Sequence, residues 1–119
     1  MIWVWLLGCG AGGETEDTAC GREPPLDYAN FGHAHMDTHC TGCHSALLPE
    51  GDRLGAPLGV DLDTYDGVLD WAERLAVRAV APDPSMPPGG GPGDEELDRF
   101  QEWLDCTLLP AARDTGVAR

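Results

Sequence analysis

The chain has 119 residues and a formal net charge of -14, from 21 acidic and 7 basic side chains. This length suits a single domain with one core, and the negative charge disfavours nucleic acid as a partner because its phosphates would be repelled. No apolar run reaches the roughly 18 residues that a transmembrane helix needs, and the 16 glycines and 10 prolines favour long loops around a few helices. A small, loop-rich domain often needs a cross-link or a prosthetic group to complete its core.

The N-terminal segment resembles the leader of a bacterial lipoprotein. Cys9 follows a Leu-Leu-Gly tripeptide, which is similar to the lipobox in which the cysteine is acylated and becomes the mature N-terminus. This resemblance implies a leader over residues 1–8, lipidation of Cys9 and a flexible polar tether over residues 9–26. It places the protein on the periplasmic side of a bacterial membrane, with membrane contact through the lipid anchor only. The leader is short and has no basic residue, so a free Cys9 in a frayed apolar N-terminus is the alternative.

The first predicted helix runs from about Asp27 to Cys40, and Asp27 suits the N-cap position. Aromatic residues, histidines and a glycine recur at helical spacing. They give one face that comprises Tyr28, Phe31, Gly32, His35 and His39. The glycine on this face would let another helix approach closely.

Two further helices are predicted beyond a loop rich in glycine and proline. An apolar stripe predicts a helix over about residues 64–81, which Pro82 must end. A last helix is predicted to start at Asp94 and to end before Pro110, which leaves residues 110–119 as a C-terminal tail. Its buried face comprises Leu97, Phe100, Trp103 and Leu104.

The sequence Cys40-Thr-Gly-Cys43-His44 is a signature of c-type haem attachment. Each thiol can add across one haem vinyl group, and the histidine can then bind the iron as the proximal ligand. Other interpretations stay open: a redox dithiol, two buried thiols beside a surface histidine, or a zinc site. A dithiol of the thioredoxin type is disfavoured because no βαβ pattern surrounds the motif. A zinc site would take four nitrogen or sulfur ligands from His35, His39, Cys40, Cys43 and His44.

Met86 is the candidate for the distal iron ligand. It lies in a segment rich in proline and glycine, whose stiffness would reduce the entropy lost in holding a thioether against iron. The alternatives are a loop methionine that packs on the core, or a histidine as the distal ligand. The histidines that precede the attachment motif are His33, His35 and His39. A small satellite metal site formed by His35 and His39 is a further hypothesis.

Over about residues 27–106 the chain resembles class I cytochromes c, in particular small bacterial monohaem c-type lipoproteins. The resemblance rests on the segments NFG (30–32), CTGCHS (40–45), GAPLGVDLDTYDGV (55–68) and SMPPGGGPGDEELDRFQEWLDC (85–106). It implies an all-α, cytochrome c-like domain over residues 27–109, with three main helices and long loops around one covalently bound haem c.

The same resemblance implies the surroundings of the haem. Phe31 and Gly32 of the first helix would pack against Phe100, Trp103 and Leu104 of the last helix. The Pro57 carbonyl would accept the Nδ1–H of His44, which would fix the ring tautomer. The residues expected to support the pocket are Pro57, Phe31, Tyr65, Phe100 and Trp103. The chain departs from the family at His35 and His39, where aromatic or apolar residues are usual.

Cys20 and Cys106 are the remaining cysteines. An exported protein supports disulfides, and crossing terminal helices could bring together Cys20, ahead of the first helix, and Cys106, at the end of the last. We predict a disulfide between them, which would close a long loop and, on the chain-entropy model, stabilise the fold by about 4 kcal/mol. The alternative is two unrelated thiols.

Together these features predict a periplasmic one-electron carrier. The iron of one covalent haem c would be held by His44 and Met86, so substrates could not reach it. The protein is therefore expected to be no enzyme and to exchange electrons with redox partner proteins. The open alternatives are a haem enzyme or sensor with a free sixth site, and a zinc-binding structural module.

Overall fold

A computed structural model describes residues 20–80, 84–88 and 90–115. Across these ranges the regular structure is helical and includes no strand, which confirms the all-α class. No helix within them is long and apolar enough to cross a membrane. The predicted leader, the Cys9 lipidation site and most of the predicted tether lie outside the described residues.

The first helical element starts at the predicted position. A π-helical turn, Tyr28–Gly32, continues directly into helix α1, His33–His39. The Asp27 carboxylate accepts a hydrogen bond from the Asn30 amide at 2.8 Å, and the Asp27 amide donates to Asn30 Oδ1 at 2.8 Å. This reciprocal pair satisfies amides that a helix start would leave unpaired. Cys40 caps the C-terminal end of α1.

The second predicted helix consists of two shorter helices, α2 (Tyr65–Asp70) and α3 (Ala72–Arg78). The Thr64 hydroxyl caps α2 by accepting a hydrogen bond from a first-turn amide at 3.1 Å. Trp71 separates the two helices with φ -109° and ψ 13°, and its indole donates to the Gly59 carbonyl at 3.3 Å. The prediction of one continuous helix is wrong at this residue, because the apolar stripe continues across the break and does not reveal it.

The last helical element is longer than predicted. Helix α4, Asp94–Trp103, is followed by a π-helical segment, Leu104–Leu108, and by helix α5, Leu109–Thr115. Pro110 therefore lies inside the element, and the prediction that the helix ends before it is wrong. Proline lacks an amide donor and is tolerated in the first turn of a helix, where that donor would have no partner. Pro110 is the second residue of α5, and the amide that starts α5 donates to a carbonyl five residues earlier. The first part of the predicted tail is thus helical.

The core forms where the first helical element crosses the last. Trp103 is fully buried, and Gly32 lies so close that an added Cβ would overlap the indole ring. Phe31 meets the same indole edge-on, with ring centroids 6.0 Å apart. The predicted packing of Phe31 and Gly32 on the last helix is confirmed. The remaining core comprises Met36, Leu62, Val68, Leu69, Ala72, Leu75, Ala79, Phe100, Leu104, Leu108, Leu109 and Ala112.

A disulfide joins the segment before the first helix to the last helical element. It links Cys20 to Cys106, as predicted, with Cα atoms 5.5 Å apart. Near it, the Arg22 guanidinium makes a bidentate ion pair with Glu102, at 2.8 and 3.0 Å. The two contacts together hold the start of the described chain against the last helix.

Candidate functional site

The Cys40–His44 motif forms a tight turn at the C-terminal end of α1. The Cys40 amide donates to the Met36 carbonyl at 2.8 Å, and the Cys40 carbonyl accepts from the amides of Cys43 and His44 at 3.1 and 2.9 Å. Both thiols are free and partly buried. This turn brings all three side chains of the motif to the wall of one cavity.

The cavity has a volume of about 720 Å³, which lies within the range of about 300–1,000 Å³ typical of ligand and cofactor pockets. Helix α1, the loop that follows it, helix α3 and the segment around Met86 enclose it. Its apolar wall comprises Leu54, Ala56, Pro57, Val60, Leu62, Leu75, Ala79 and Phe100. A wall of this kind favours an occupant that is largely apolar.

The five predicted support residues divide into those at the cavity and those behind it. Pro57 and Phe100 line the cavity. Trp103 stacks on Phe100 with ring centroids 6.0 Å apart, and Phe31 packs on Trp103. Tyr65 is not a lining residue: it lies against another tyrosine, Tyr28, with ring centroids 5.3 Å apart, and is 37% exposed. Tyr65 thus packs away from the cavity lining, and its support of the pocket stays a prediction.

The orientation of His44 is set by a backbone carbonyl of the following loop. Its Nδ1 lies 3.1 Å from the Val60 carbonyl oxygen. The resemblance to cytochromes c implied this role for the Pro57 carbonyl. That expectation is wrong, since the Pro57 carbonyl instead accepts from the Arg53 guanidinium at 2.9 Å. Loop geometry decides between two carbonyls three residues apart, and the sequence motif does not encode it.

Arg53 organises this loop, and sequence reasoning missed it. The side chain is 1% exposed, and its guanidinium makes an ion pair with Asp61 at 2.8 Å. It also donates to the backbone carbonyls of Ser45 at 2.6 Å, Pro57 at 2.9 Å and Val60 at 3.0 Å. The Val60 carbonyl that holds His44 is thus itself held by Arg53. An arginine in a polar loop gives no sequence signal that it is buried.

The segment just after His44 is fixed by a second acidic side chain. The Asp63 carboxylate accepts hydrogen bonds from the Ser45 hydroxyl and from the Ala46 amide, the latter at 2.9 Å. Burial alone would raise the pKa of Asp63, but these hydrogen bonds and the charge of Arg53 lower it overall. The carboxylate form is therefore the one that holds the loop.

Met86 lies at the cavity through a backbone anchor on α3. The amides of Ser85 and Met86 both donate to the Arg78 carbonyl, at 2.8 and 3.0 Å. The Met86 side chain lines the cavity and is 37% exposed. The structure therefore brings Met86 to the same cavity as Cys40, Cys43 and His44, which are far from it in sequence.

Arginine side chains are concentrated at the cavity. Arg53, Arg74 and Arg78 all line it, although the chain has 7 basic residues and a net charge of -14. Arg74 and Arg78 are one turn apart on α3. Arg53 is paired with Asp61, so the positive charges of Arg74 and Arg78 are the ones that favour an occupant with acidic groups.

The Cys40 thiol is not activated for redox chemistry. Burial raises its pKa to about 12, and the negative charge of Cys43 adds to the increase. Cys40 is therefore a thiol at neutral pH, whereas reactive dithiols depend on a lowered cysteine pKa.

Two imidazoles and one carboxylate meet at the edge of the cavity. His35 Nδ1 lies 2.7 Å from Glu96 Oε2, and His39 Nε2 lies 3.2 Å from the same oxygen. Burial lowers the pKa of His35, against the opposing effect of Glu96. Helical spacing predicted that His35 and His39 share a face, but not that Glu96, in the first turn of α4, joins them.

The chain shows no match to known proteins in three comparisons: no family model, no curated protein and no solved structure matches it. Its function must therefore be argued from the motif and from the geometry of the cavity.

Proposed function

We propose that the protein is a c-type cytochrome that carries one electron at a time. In this proposal Cys40 and Cys43 hold one haem c through thioether bonds, and His44 and Met86 are its axial ligands. The observation that supports it best is that Met86, far along the chain from the motif, lines the same largely apolar cavity of about 720 Å³ as Cys40, Cys43 and His44. Together with the helical fold, it favours a cytochrome c-like architecture over residues 27–109.

The lining of the cavity suits the two chemical halves of a haem. Leucine, valine, proline and phenylalanine side chains would contact the porphyrin ring, which is apolar and flat. The guanidinium groups of Arg74 and Arg78 are the candidates to pair with the acidic propionates, since Arg53 is already bonded to the loop. Arginine forms strong, directional hydrogen bonds with carboxylates.

The protein groups around His44 prepare it to bind iron. A neutral His44 that donates its Nδ1–H to the Val60 carbonyl leaves Nε2 unprotonated, and an unprotonated nitrogen is the form that binds a metal. Met86 would bind the same iron and exclude exogenous ligands, so that substrates could not reach the iron. This is why we propose a carrier and not an enzyme.

The bound haem would supply an iron that alternates between the ferrous and ferric states. The chain would tune this couple through the Met86 thioether and through the apolar wall, which both raise the reduction potential by favouring the less charged ferrous site. The redox partners would be other proteins that approach the cavity side of the domain.

Export to the periplasm is part of the proposal. The disulfide between Cys20 and Cys106 supports it, because disulfides persist in oxidising compartments. We propose that Cys9 carries a lipid anchor at the membrane surface and that the residues between it and the domain act as a tether.

Covalent attachment is tested by producing the exported chain together with a c-type haem maturation system. We expect a red product whose intact mass includes one haem and whose colour stays with the protein after acid-acetone extraction. The Cys40→Ala/Cys43→Ala variant should lose covalent haem. The Cys20→Ser/Cys106→Ser variant is the matched control and should retain it. A colourless wild-type protein, or one that contains zinc in place of iron, would overturn the proposal.

The role of Met86 is tested with carbon monoxide, which binds ferrous haem only where an axial position is free. The reduced wild-type protein should not bind it at neutral pH, whereas Met86→Ala should bind it readily and lose the weak long-wavelength absorption band expected of methionine-ligated ferric haem. Met36→Leu, a change at a buried methionine outside the cavity lining, is the control and should behave as wild type. Carbon monoxide binding by the wild type would instead favour a haem enzyme or sensor.

A further inference from the structure

A second candidate site lies at the junction of α1 and α4, where three ligand atoms converge. His35 and His39 are four residues apart on α1, so their rings project from the same face. Glu96 reaches them from the first turn of α4. The ligand atoms of the three side chains all lie within 4.8 Å of one another, and the group is the one such cluster of three or more within the part of the chain that the structure describes.

The separations between these atoms suit one metal ion. Glu96 Oε2 lies 2.7 Å from His35 Nδ1 and 3.2 Å from His39 Nε2. A tetrahedral zinc ion with bond lengths of about 2.1 Å places its ligand atoms about 3.4 Å apart. To admit the ion, Glu96 Oε2 would have to move away from His35 Nδ1 by about 0.7 Å.

The surroundings hold the ligands in place but leave a route for the ion. The His35 side chain is 2% exposed, and its ring packs between Phe31 and Phe100, with centroids 5.1 and 4.3 Å away. By contrast, the side chains of His39 and Glu96 are 18% and 33% exposed. A fixed inner ligand with two accessible outer ligands is the arrangement expected of a site that an ion can reach from solvent.

We propose that His35, His39 and Glu96 bind one divalent cation of the zinc class. Two imidazoles and one carboxylate are a frequent zinc ligand set, and they leave a fourth position for water or for another ligand. The net charge of -14 raises the local concentration of cations around the chain. The ion would cross-link α1, which carries the attachment motif, to the last helical element. None of the three residues is a proposed haem ligand, although His35 and His39 line the same cavity.

The competing explanation is that Glu96 only satisfies two partly buried histidines by hydrogen bonding. That arrangement would also stabilise the helix junction, so the loss of stability on mutation does not distinguish it from a metal site. The affinity for zinc distinguishes the two explanations. Three hydrogen-bonded side chains with no metal function would bind zinc no more tightly than a variant in which one of them is replaced.

The test is a calorimetric titration of the purified, chelator-treated full chain with zinc chloride. We expect one zinc ion per chain, and we expect Glu96→Gln and His39→Gln each to weaken binding by about 100-fold, since even the loss of an outer partner of a metal ligand costs about 10- to 100-fold. Glu95→Gln and His33→Gln change exposed residues on the same two helices and should bind as wild type. We replace His39 and not His35, because His39 is less buried and its replacement should disturb the fold less.

Cobalt chloride, added to the chain produced without haem, distinguishes this site from one made by the free thiols of Cys40 and Cys43. Cobalt bound to nitrogen and oxygen ligands should show visible d–d bands without a thiolate charge-transfer band, and the spectrum should persist in the Cys40→Ala/Cys43→Ala variant. A thiolate band, a wild-type zinc affinity no higher than that of Glu96→Gln, or equal weakening by Glu95→Gln would overturn the proposal.

Discussion

At the scale of single residues, Arg53 is a buried side chain that the sequence motifs did not identify. Buried arginines are rare because removing a guanidinium from water is costly unless its donors are satisfied. Here the loop wraps around the side chain and supplies carbonyl oxygens and the Asp61 carboxylate. One of those carbonyls, from Val60, also orients His44. The arginine thus connects loop stability to the geometry of the proposed iron ligand.

Replacing Arg53 should therefore have a large effect. Arg53→Ala would leave buried carbonyl oxygens without donors, and we expect it to lower the free energy of unfolding by about 3 kcal/mol, measured by urea denaturation. Arg113→Ala is the control: Arg113 also pairs with a carboxylate, that of Glu73, but its side chain is 62% exposed, so the loss should stay below about 1 kcal/mol. Equal losses in the two variants would contradict the role assigned to Arg53.

At the scale of the helices, the crossing of the first and last elements depends on a close approach at Gly32. The glycine places no side chain between the backbone and the Trp103 indole. In consequence Trp103 and Phe31 fill the space that surrounds the crossing. Any side chain at position 32 would have to displace the indole or separate the helices.

The Gly32→Ala substitution tests this crossing. Overpacking of a buried site typically costs about 1–3 kcal/mol, and we expect a loss of this size in the free energy of unfolding, even though alanine favours helix formation over glycine. Gly51→Ala, at a position where an added Cβ meets nothing within 4 Å, should leave stability nearly unchanged. If Gly32→Ala is as stable as wild type, the crossing is looser than its geometry indicates.

The elements also show where sequence reasoning succeeds. Asp27 and the residues that follow it encode a helix start through local hydrogen bonds, so the prediction there is accurate. Pro110 predicted a helix end, but a π-helical segment just before the proline allows the helix to continue. Such segments have no simple sequence pattern. The break between α2 and α3 at Trp71 was not predicted either. The Trp71 indole makes a tertiary hydrogen bond there, which the local sequence pattern does not reveal.

At the scale of the whole molecule, the candidate sites combine residues that sequence separation keeps apart. The CxxCH spacing is local, so Cys40, Cys43 and His44 could be grouped by inspection. The motif supplies only one iron ligand, so Met86 could be proposed only because a second ligand was needed. The convergence of Glu96 on His35 and His39, like the burial of Arg53, follows from how the last helix and the long loop pack, and therefore required the three-dimensional structure.

The disulfide is the covalent link that acts on the whole fold. Cys20 and Cys106 are separated by 86 residues, so the bond constrains nearly all of the described chain in the unfolded state. On the chain-entropy model a loop of this length stabilises the native state by about 4 kcal/mol.

We expect Cys20→Ser/Cys106→Ser to lose about this much free energy of unfolding, measured by urea denaturation. The wild type should match the variant once a reductant is added. Thioether bonds do not respond to thiol reductants, but the haem iron does, so every haem-loaded sample also contains ascorbate, which keeps the iron ferrous and leaves disulfides intact. Under this condition the thiol reductant should have no effect on the variant. A wild type that keeps its stability in reductant would mean that Arg22 and Glu102, with the packed helices, already hold the start of the domain in place.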